Sequence, residues 1–233
     1  MINSIAGAGS LITFPALLAV GLPPLQANVS NSIGLVPGSL SGAWGYRHQL
    51  HGQLPRLARL CALAGAGSVV GAFLLLLTPG RLFEVVVPGL VAAASILVLA
   101  QPLISRRFNR EGDRPVALAV GLVLVGVYGG YFGAAQGIML LAVMGLFLAA
   151  PLQRANAFKT LIAGTANAAS GVIFIVLAPV SWPHALLLAG SSTVGGRLGA
   201  ALAQRVPDRP LRIAVAVFGL VVAARLAFTA HLL

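Results

Sequence analysis

Two glycine-rich segments contain the residue types best suited to chemistry in this chain. Residues 6–10 and 133–137 each interrupt an apolar run, and a further apolar stretch follows each of them. Glycine lets a ligand approach the backbone closely, and the N–H groups that open the following helix lack intrahelical partners at its positive dipole end. The pattern predicts non-covalent binding of an anion, whereas a close helix contact without a ligand is the alternative. The candidate binding residues are Gly7, Gly9, Ser10, Gly133, Gln136 and Gly137.

Polar side chains open the apolar run that follows each glycine segment. Asn28 and Ser32 belong to the first run, and Asn156, Lys159 and Thr160 belong to the second. Polar groups inside a membrane helix are costly to insert and indicate a functional site, unless they only join helices by hydrogen bonds. Lys159, the only lysine of the sequence, either adds positive charge to an anion site or extends its flexible stem to the membrane interface. All five are candidate binding residues.

Acidic residues and cysteine are scarce in this sequence. The four acidic residues, Glu84, Glu111, Asp113 and Asp208, lie outside the apolar cores, and Cys61 is the single cysteine. A cation pump, a carboxylate proton relay, a membrane-embedded enzyme and a disulfide framework all lack the residues that they need. We therefore expect no catalytic residue, no metal and no cofactor.

The composition identifies the solvent around these segments. Apolar residues make up 58% of the 233 residues and charged residues only 8%, against about 25% charged residues in a soluble domain. Most of the surface must face lipid, so the chain is predicted to be an all-α polytopic membrane protein. The net charge of +11 does not indicate nucleic acid, because the arginines stand in short loops between apolar runs, as in cytoplasmic loops.

Long apolar stretches position the candidate residues. A spanning helix needs about 20 residues, and most of the stretches match this length. The first is short, while the fifth is much longer and is interrupted by the second glycine segment. The stretches are 4–20, 27–46, 57–77, 83–104, 116–150, 155–177, 184–202 and 211–232.

The two halves of the sequence match without gaps at an offset of 128 residues, which places Gly9 on Gly137. Three prolines of the second half then fall on prolines of the first, namely Pro151 on Pro23, Pro183 on Pro55 and Pro207 on Pro79. The match predicts a first repeat at 1–105 and a second at 115–233, joined by a cytoplasmic linker at 106–114. The counterpart of the apolar arm at 116–130 would precede Met1, so the first repeat is expected to be N-terminally short.

The distribution of arginine predicts opposite orientations for the two repeats. The loop at 47–59 is basic and its equivalent at 179–183 is uncharged, whereas the loop at 205–212 is basic and its equivalent near Pro79 is balanced. Basic loops face the cytoplasm, so equivalent loops should lie on opposite membrane faces. Such inverted repeats need an odd number of crossings. We therefore expect three spanning helices and one broken, re-entrant segment in each repeat, with 116–150 entering and leaving on the cytoplasmic side.

Three motifs of the sequence occur together in a known family. They are the opening NSIAGAGSLI with Pro15, the turn Gly21-Leu22-Pro23-Pro24 with Ala27-Asn28 after it, and the segment GGYFGAAQG at 129–137. These motifs resemble the TauE/SafE-type sulfite exporter (TSUP) family of bacterial membrane permeases, and the resemblance covers nearly the whole chain. It implies a duplicated membrane fold and transport, commonly export, of sulfite, sulfonates, related sulfur oxyanions or organic acids.

The sequence as a whole predicts a permease or exporter of small anions, with several crossings of the bacterial inner membrane. The sulfur-oxyanion class follows from the resemblance, whereas the preference for an anion follows from the helix starts, Lys159 and the lack of carboxylates in the spans. The expected partners are a small anionic solute and the lipid bilayer, with no nucleic acid, and a homodimer is left open. A permease for an organic acid and a non-transporting membrane subunit or scaffold are the alternatives.

Overall fold

Helices form every regular element in the described part of the computed structural model, which covers residues 9–105, 114–202 and 208–230. Gly7 and residues 106–113 of the predicted linker lie outside these ranges. The helices are α1 (Ser10–Ala19), α2 (Pro24–Gly45), α3 (Arg47–Leu50), α4 (Leu54–Leu77), α5 (Gly80–Ser105), α6 (Pro115–Tyr131), α7 (Gln136–Phe147), α8 (Leu152–Leu177), α9 (Trp182–Leu202) and α10 (Asp208–Ala230).

Prolines mark the start of several helices. Pro23 precedes α2 and Pro151 precedes α8, while Pro55 and Pro115 stand in the first turns of α4 and α6. Proline suits a first turn because its fixed φ is helical and its missing N–H would have no intrahelical partner there. The prolines that match between the two halves thus begin equivalent helices, α2 and α8, in the same way.

Among the described residues, three helices are long and apolar enough to cross a membrane, judged by length and composition. They are Leu54–Leu77, Gly80–Leu103 and Leu152–Leu177. At 1.5 Å per residue each is about 36–39 Å long, which exceeds the hydrocarbon thickness of about 30 Å. The prediction of an all-α membrane protein is confirmed.

The long apolar stretch at 116–150 folds as a hairpin of two helices. α6 and α7 pack against each other, and at their open end the N–H of Arg114 donates to the carbonyl oxygen of Phe147 at 3.0 Å. Farther along the pair, Gly121 leaves room for the side chain of Val143. The chain therefore leaves the hairpin at the end where it entered, which is the path that the sequence predicts for a re-entrant segment.

The hairpin is attached to α4 through a seam of glycines. Gly67 and Gly71 of α4 and Gly126 and Gly130 of α6 each face the main chain of the other helix, where an added Cβ would collide with a carbonyl oxygen. Small residues allow membrane helices to approach each other this closely. We call these four residues the glycine seam.

Several helices of the first half of the sequence pack against helices of the second half. α2 packs against α9 and α8 packs against α4, while α5 and α10 pack together. α2 and α8 also contact each other and run antiparallel, because Ile33 lies beside Gly171 and Ser39 lies beside Gly164. The inverted relation of the complete repeats, and the limits of each repeat, stay predictions.

Three helices, α4, α6 and α8, begin at the same end of the bundle. Pro55 at the start of α4 and Pro115 at the start of α6 line one cleft, so both helices begin at one end, which we call the basic end. α8 also begins at the basic end, shortly after α7 has returned there. It runs to the loop at 178–181, at the opposite end, which we call the far end. The predicted cytoplasmic loop at 47–59 and this loop thus lie at opposite ends, although the membrane face that each meets stays a prediction.

Candidate functional site

The break between α6 and α7 consists of residues 132–135, which we call the hinge. Gly133 has a φ of +73° and Ala135 a φ of +56°. Left-handed backbone costs least at glycine, which explains the residue at 133, whereas Ala135 is the single non-glycine residue with positive φ in the described ranges. Tyr128 closes the hinge, because its hydroxyl donates to the carbonyl oxygen of Ala134 at 2.7 Å.

The hinge lies near mid-height of the bundle. Gly130, two residues before it, packs on the backbone of Ser68, which stands near the middle of α4. The Ser68 hydroxyl donates to the carbonyl oxygen of Ala166 at 2.6 Å, near the middle of α8. Both helices are long enough to cross a membrane. The hinge therefore lies at the level of the middle parts of α4 and α8.

The start of α1 contacts the hinge directly. The hydroxyl of Ser10 donates to the carbonyl oxygen of Gly133 at 3.3 Å. The ring of Phe14 packs edge-to-face on Phe132, with ring centroids 5.2 Å apart. The described parts of the two glycine segments, far apart in sequence, are thus neighbours in space.

Two buried amide side chains border the hinge, and each has one unpaired atom. Asn28 is 1% exposed and donates from Nδ2 to the carbonyl oxygen of Tyr131 at 2.9 Å, while its Oδ1 has no partner in the described part of the chain. Gln136 is 3% exposed and its amide packs on Gly129, while its Nε2 finds no acceptor among the same residues. A buried unpaired polar group costs about 1–3 kcal/mol. The Gln136 amide is therefore suited to an oxygen of a ligand or of water.

Ser32, another candidate in α2, uses its hydroxyl within its own helix. It donates to the carbonyl oxygen of Asn28, one turn earlier, at 3.0 Å. Its neighbour Ser30 accepts from the N–H of Ser181 at 2.9 Å and so joins the start of α2 to the loop at the far end. These serines stabilise the part of α2 from which Asn28 reaches the hinge.

Asn156, Lys159 and Thr160 form a second polar cluster, at the start of α8. Lys159 is 2% exposed and donates from Nζ to Oδ1 of Asn156 at 3.1 Å, while Thr160 donates to the Asn156 carbonyl oxygen at 2.8 Å. The ammonium is enclosed by protein in this structure, where a charge needs polar or anionic partners. Because α8 is antiparallel to α2, this cluster lies toward the basic end and Asn28 toward the far end. The two polar clusters are thus separated along the bundle.

The remaining glycine candidates stand at helix starts. Gly9 is the N-cap of α1, and Gly137 is the second residue of α7. Both are buried. The N–H of Gly137 belongs to a first turn, where helices have no intrahelical acceptors, so it remains a candidate contact for an anion. Gly9 already takes part in hydrogen bonds, since its carbonyl oxygen accepts from the N–H groups of Ile12 and Thr13.

Sequence reasoning missed several residues around the hinge. Thr13 donates to Oδ1 of Asn31 and ties α1 to α2, and Phe83 adds a second ring contact to Phe132. Threonine and phenylalanine are common in apolar helices, so their types give no signal. Tyr128, next to the glycine motif at 129–137, is the one residue whose position offered a clue.

The polar contacts described at the hinge consist of amide, hydroxyl and backbone groups. Within the described residues, no group of three or more His, Cys, Asp and Glu is placed to hold a metal ion. Amide and hydroxyl groups can hold an anion by hydrogen bonds without forming a covalent bond. The chemistry available to these groups is non-covalent binding.

Comparisons with known proteins agree with this architecture. The family model described as "Sulfite exporter TauE/SafE" matches residues 1–226. Two similar proteins are the probable membrane transporter protein YfcA of Escherichia coli K12, 28% identical over 232 residues (99% of this chain, 86% of that protein), and ORF9 of Sinorhizobium sp, 26% identical over 226 residues (97% and 87%). A probable membrane transporter protein of Haemophilus influenzae is 28% identical over 231 residues (97% and 89%). No solved structure gives a significant match. Since the family model matches almost the whole chain, this protein belongs to the TauE/SafE sulfite exporter family of membrane transporters.

Proposed function

We propose that the protein is a permease that moves small anions, of the sulfite, organosulfonate or related sulfur-oxyanion class, across the bacterial inner membrane. The observation that carries the proposal is the unpaired amide nitrogen of Gln136, which is buried where α1 meets the hinge near mid-height of the bundle. The family supports transport, and the relatives are named as probable membrane transporters.

The polar groups around the hinge favour an anion over a cation. α7 begins at Gln136, so its first N–H groups and the positive end of its dipole lie at the hinge. The hydroxyl of Ser10 donates its one proton to the carbonyl oxygen of Gly133, so it could serve an anion only by turning away from the hinge. Glu84, the one acidic residue whose side chain is described, is exposed at the start of α5, near the far end. Glu84 takes part in none of the hydrogen bonds described at the hinge, although its neighbour Phe83 packs on the ring of Phe132.

The chemistry of the solute fits closely spaced donors. Sulfite and sulfonates share a compact SO₃ group, in which three oxygens carry the negative charge and accept hydrogen bonds in several directions. The Gln136 side-chain amide and the N–H of Gly137, at the positive end of the α7 dipole, can approach such a group from different sides. The main-chain N–H groups of Gln136, Ile138 and Met139 already donate to carbonyl oxygens of the hinge. Glycine at 9 and 137 leaves the backbone open to this approach. The sulfur-oxyanion class itself is supported by the family.

Lys159 offers a second positive position, toward the basic end. Its ammonium is buried and held by Asn156, in a region where low dielectric strengthens attraction to an anion. We propose that the solute passes this position on its way to or from the hinge, and that it is translocated without chemical change.

The test is flux of labelled sulfite in proteoliposomes that contain the purified protein. Gln136→Met removes the amide donors at similar volume and is expected to lower flux by roughly 10- to 150-fold, because a hydrogen bond to a charged group is worth about 1.5–3 kcal/mol. Gln101→Met is the matched control, since Gln101 is also buried but lies near the end of α5, and it should retain flux.

Competing solutes identify the substrate class in the same assay. Sulfoacetate, thiosulfate and sulfate should compete with labelled sulfite more strongly than acetate or lactate. Strong competition by acetate or lactate, with little by the sulfur oxyanions, would favour an organic-acid permease. Absence of flux for every anion, in protein shown to be folded and inserted, would favour a scaffold and contradict the proposal.

A further inference from the structure

A cleft opens at the basic end between the starts of α4 and α6, away from the hinge. It has a volume of about 380 Å³. Its lining combines two arginines with apolar side chains, namely Arg56, Arg59, Leu60, Leu63, Leu118 and Ala119. The hinge follows α6, and Leu118 precedes the last residue of that helix by 13 residues, or about 20 Å. The cleft is therefore separate from the proposed anion site.

The polar and apolar parts of the cleft are arranged in order along α4. Arg59 is exposed and Arg56 is partly exposed, whereas Leu60 and Leu118 are buried deeper, at 6% and 4% exposure. Both arginines stand in the first two turns of α4, which begins at Leu54. The cleft thus has a basic rim at the end of the bundle and an apolar wall that continues toward its middle.

We propose that this cleft binds one anionic phospholipid, with its phosphodiester between Arg56 and Arg59 and the beginning of an acyl chain along Leu60, Leu63 and Leu118. Guanidinium groups form charge-assisted, often paired hydrogen bonds with phosphate oxygens. Basic pockets between membrane helices at the cytoplasmic side are suited to phospholipid head groups. A free phosphate would leave the apolar wall uncovered, whereas a phospholipid satisfies both parts of the cleft.

The surroundings of the cleft suit a lipid as its occupant. Leu54 at the start of α4 is 67% exposed and Val116 at the start of α6 is 76% exposed, so both present apolar surface beside the cleft. In a membrane protein such surface faces acyl chains. A phospholipid of the surrounding bilayer can therefore enter from the side without leaving the membrane. Once bound, it would contact both α4 and the first turns of the hairpin.

The test of the basic rim is native mass spectrometry of the detergent-purified protein, titrated with phosphatidylglycerol and, separately, with phosphatidylcholine. We expect one tightly bound phosphatidylglycerol and no comparable phosphatidylcholine. Arg59→Gln should weaken phosphatidylglycerol about fivefold and the double variant R56Q/R59Q about 25-fold, at about 1 kcal/mol per arginine. Arg47→Gln, an exposed arginine of the same end, should change nothing. Equal binding in R56Q/R59Q and wild type would overturn the proposal.

The test of the apolar wall uses two neighbouring residues of α6. Ala119→Trp fills the cleft without changing its charge and should abolish the bound lipid, whereas Val120→Trp, at a residue that is 55% exposed and does not line the cleft, should not. Thermal unfolding midpoints verify that both variants fold. Inorganic phosphate at millimolar concentration should not displace the lipid. Retained lipid in Ala119→Trp, or full displacement by phosphate, would show a simple charged patch and overturn the proposal.

Discussion

Alanine substitutions at two adjacent glycines of α6 are expected to have different effects, one on transport and the other on stability. A Cβ at Gly129 would meet the amide end of Gln136, whereas a Cβ at Gly130 would meet the backbone carbonyl of Ser68. Both would be closer than 3.0 Å, a limit that real Cβ contacts essentially never cross. A side-chain end can move aside, but a helix backbone can yield only if α4 and α6 separate. Gly129→Ala should therefore displace the Gln136 amide, and Gly130→Ala should strain the glycine seam.

The sizes of the two effects follow from what must move. Gly130→Ala resembles overpacking of a core, which costs about 1–3 kcal/mol, and the better helix propensity of alanine returns at most about 1 kcal/mol. Gly129→Ala gains the same propensity and displaces only a flexible side chain, so its stability should stay near that of the wild type. Its flux should fall by roughly 10- to 150-fold, because the solute loses a hydrogen bond worth about 1.5–3 kcal/mol.

The assay combines sulfite flux, normalised to inserted protein, with the midpoint of thermal unfolding in detergent. Gly89→Ala in α5 is the matched control, since a Cβ there would meet nothing within 4 Å. It should keep wild-type flux and raise the midpoint only by the gain in helix propensity. Wild-type flux in Gly129→Ala would refute the role given to the Gln136 amide. A midpoint in Gly130→Ala as high as that of Gly89→Ala would refute the close backbone contact of the seam.

Three further predictions concern topology, charge and the hinge. A cysteine at Gln53 should react with an impermeant reagent only from the cytoplasm and one at Ser181 only from outside, whereas labelling of both from one face would contradict the inverted arrangement. Lys159→Gln should lower flux severalfold because it removes a buried positive charge. Arg47→Gln should not lower flux, since water and salt screen that exposed arginine. Equal flux in the two variants would favour a structural role for the lysine. Tyr128→Phe should lower the unfolding midpoint, since the hinge loses a hydrogen bond worth about 1 kcal/mol, and an unchanged midpoint would show that water replaces it.

The hairpin was predictable because the sequence at 116–150 is too long for one crossing and carries a glycine cluster near its middle. The first residue of each helix was harder to predict. Hydropathy predicts a run from residue 27, whereas α2 begins at Pro24, because a proline that is not strongly apolar still fits a first turn. Patterns of hydrophobicity thus identify which segments are helices more reliably than they identify the first residue of each helix.

The contacts that assemble the hinge were beyond reach from the sequence. Ser10 and Asn28 donate to the carbonyl oxygens of Gly133 and Tyr131, which are more than 100 residues away. Every residue has a carbonyl group, so no residue type indicates which one will accept such a bond. The two options for Lys159 likewise could not be separated, since burial of a side chain depends on helices that pack against it from elsewhere in the chain.

The glycine seam has a consequence for how transporters of this architecture can diverge. It holds the hairpin by main-chain contacts at Gly67, Gly71, Gly126 and Gly130, so the attachment does not depend on the side chains at the tip of the hairpin. Under the proposed function, substitutions at the tip can then alter which solute is recognised while the tip stays attached at the same place on α4. On that proposal, different residues anchor the hairpin and recognise the solute, so a new specificity can evolve without a new way of holding the hairpin.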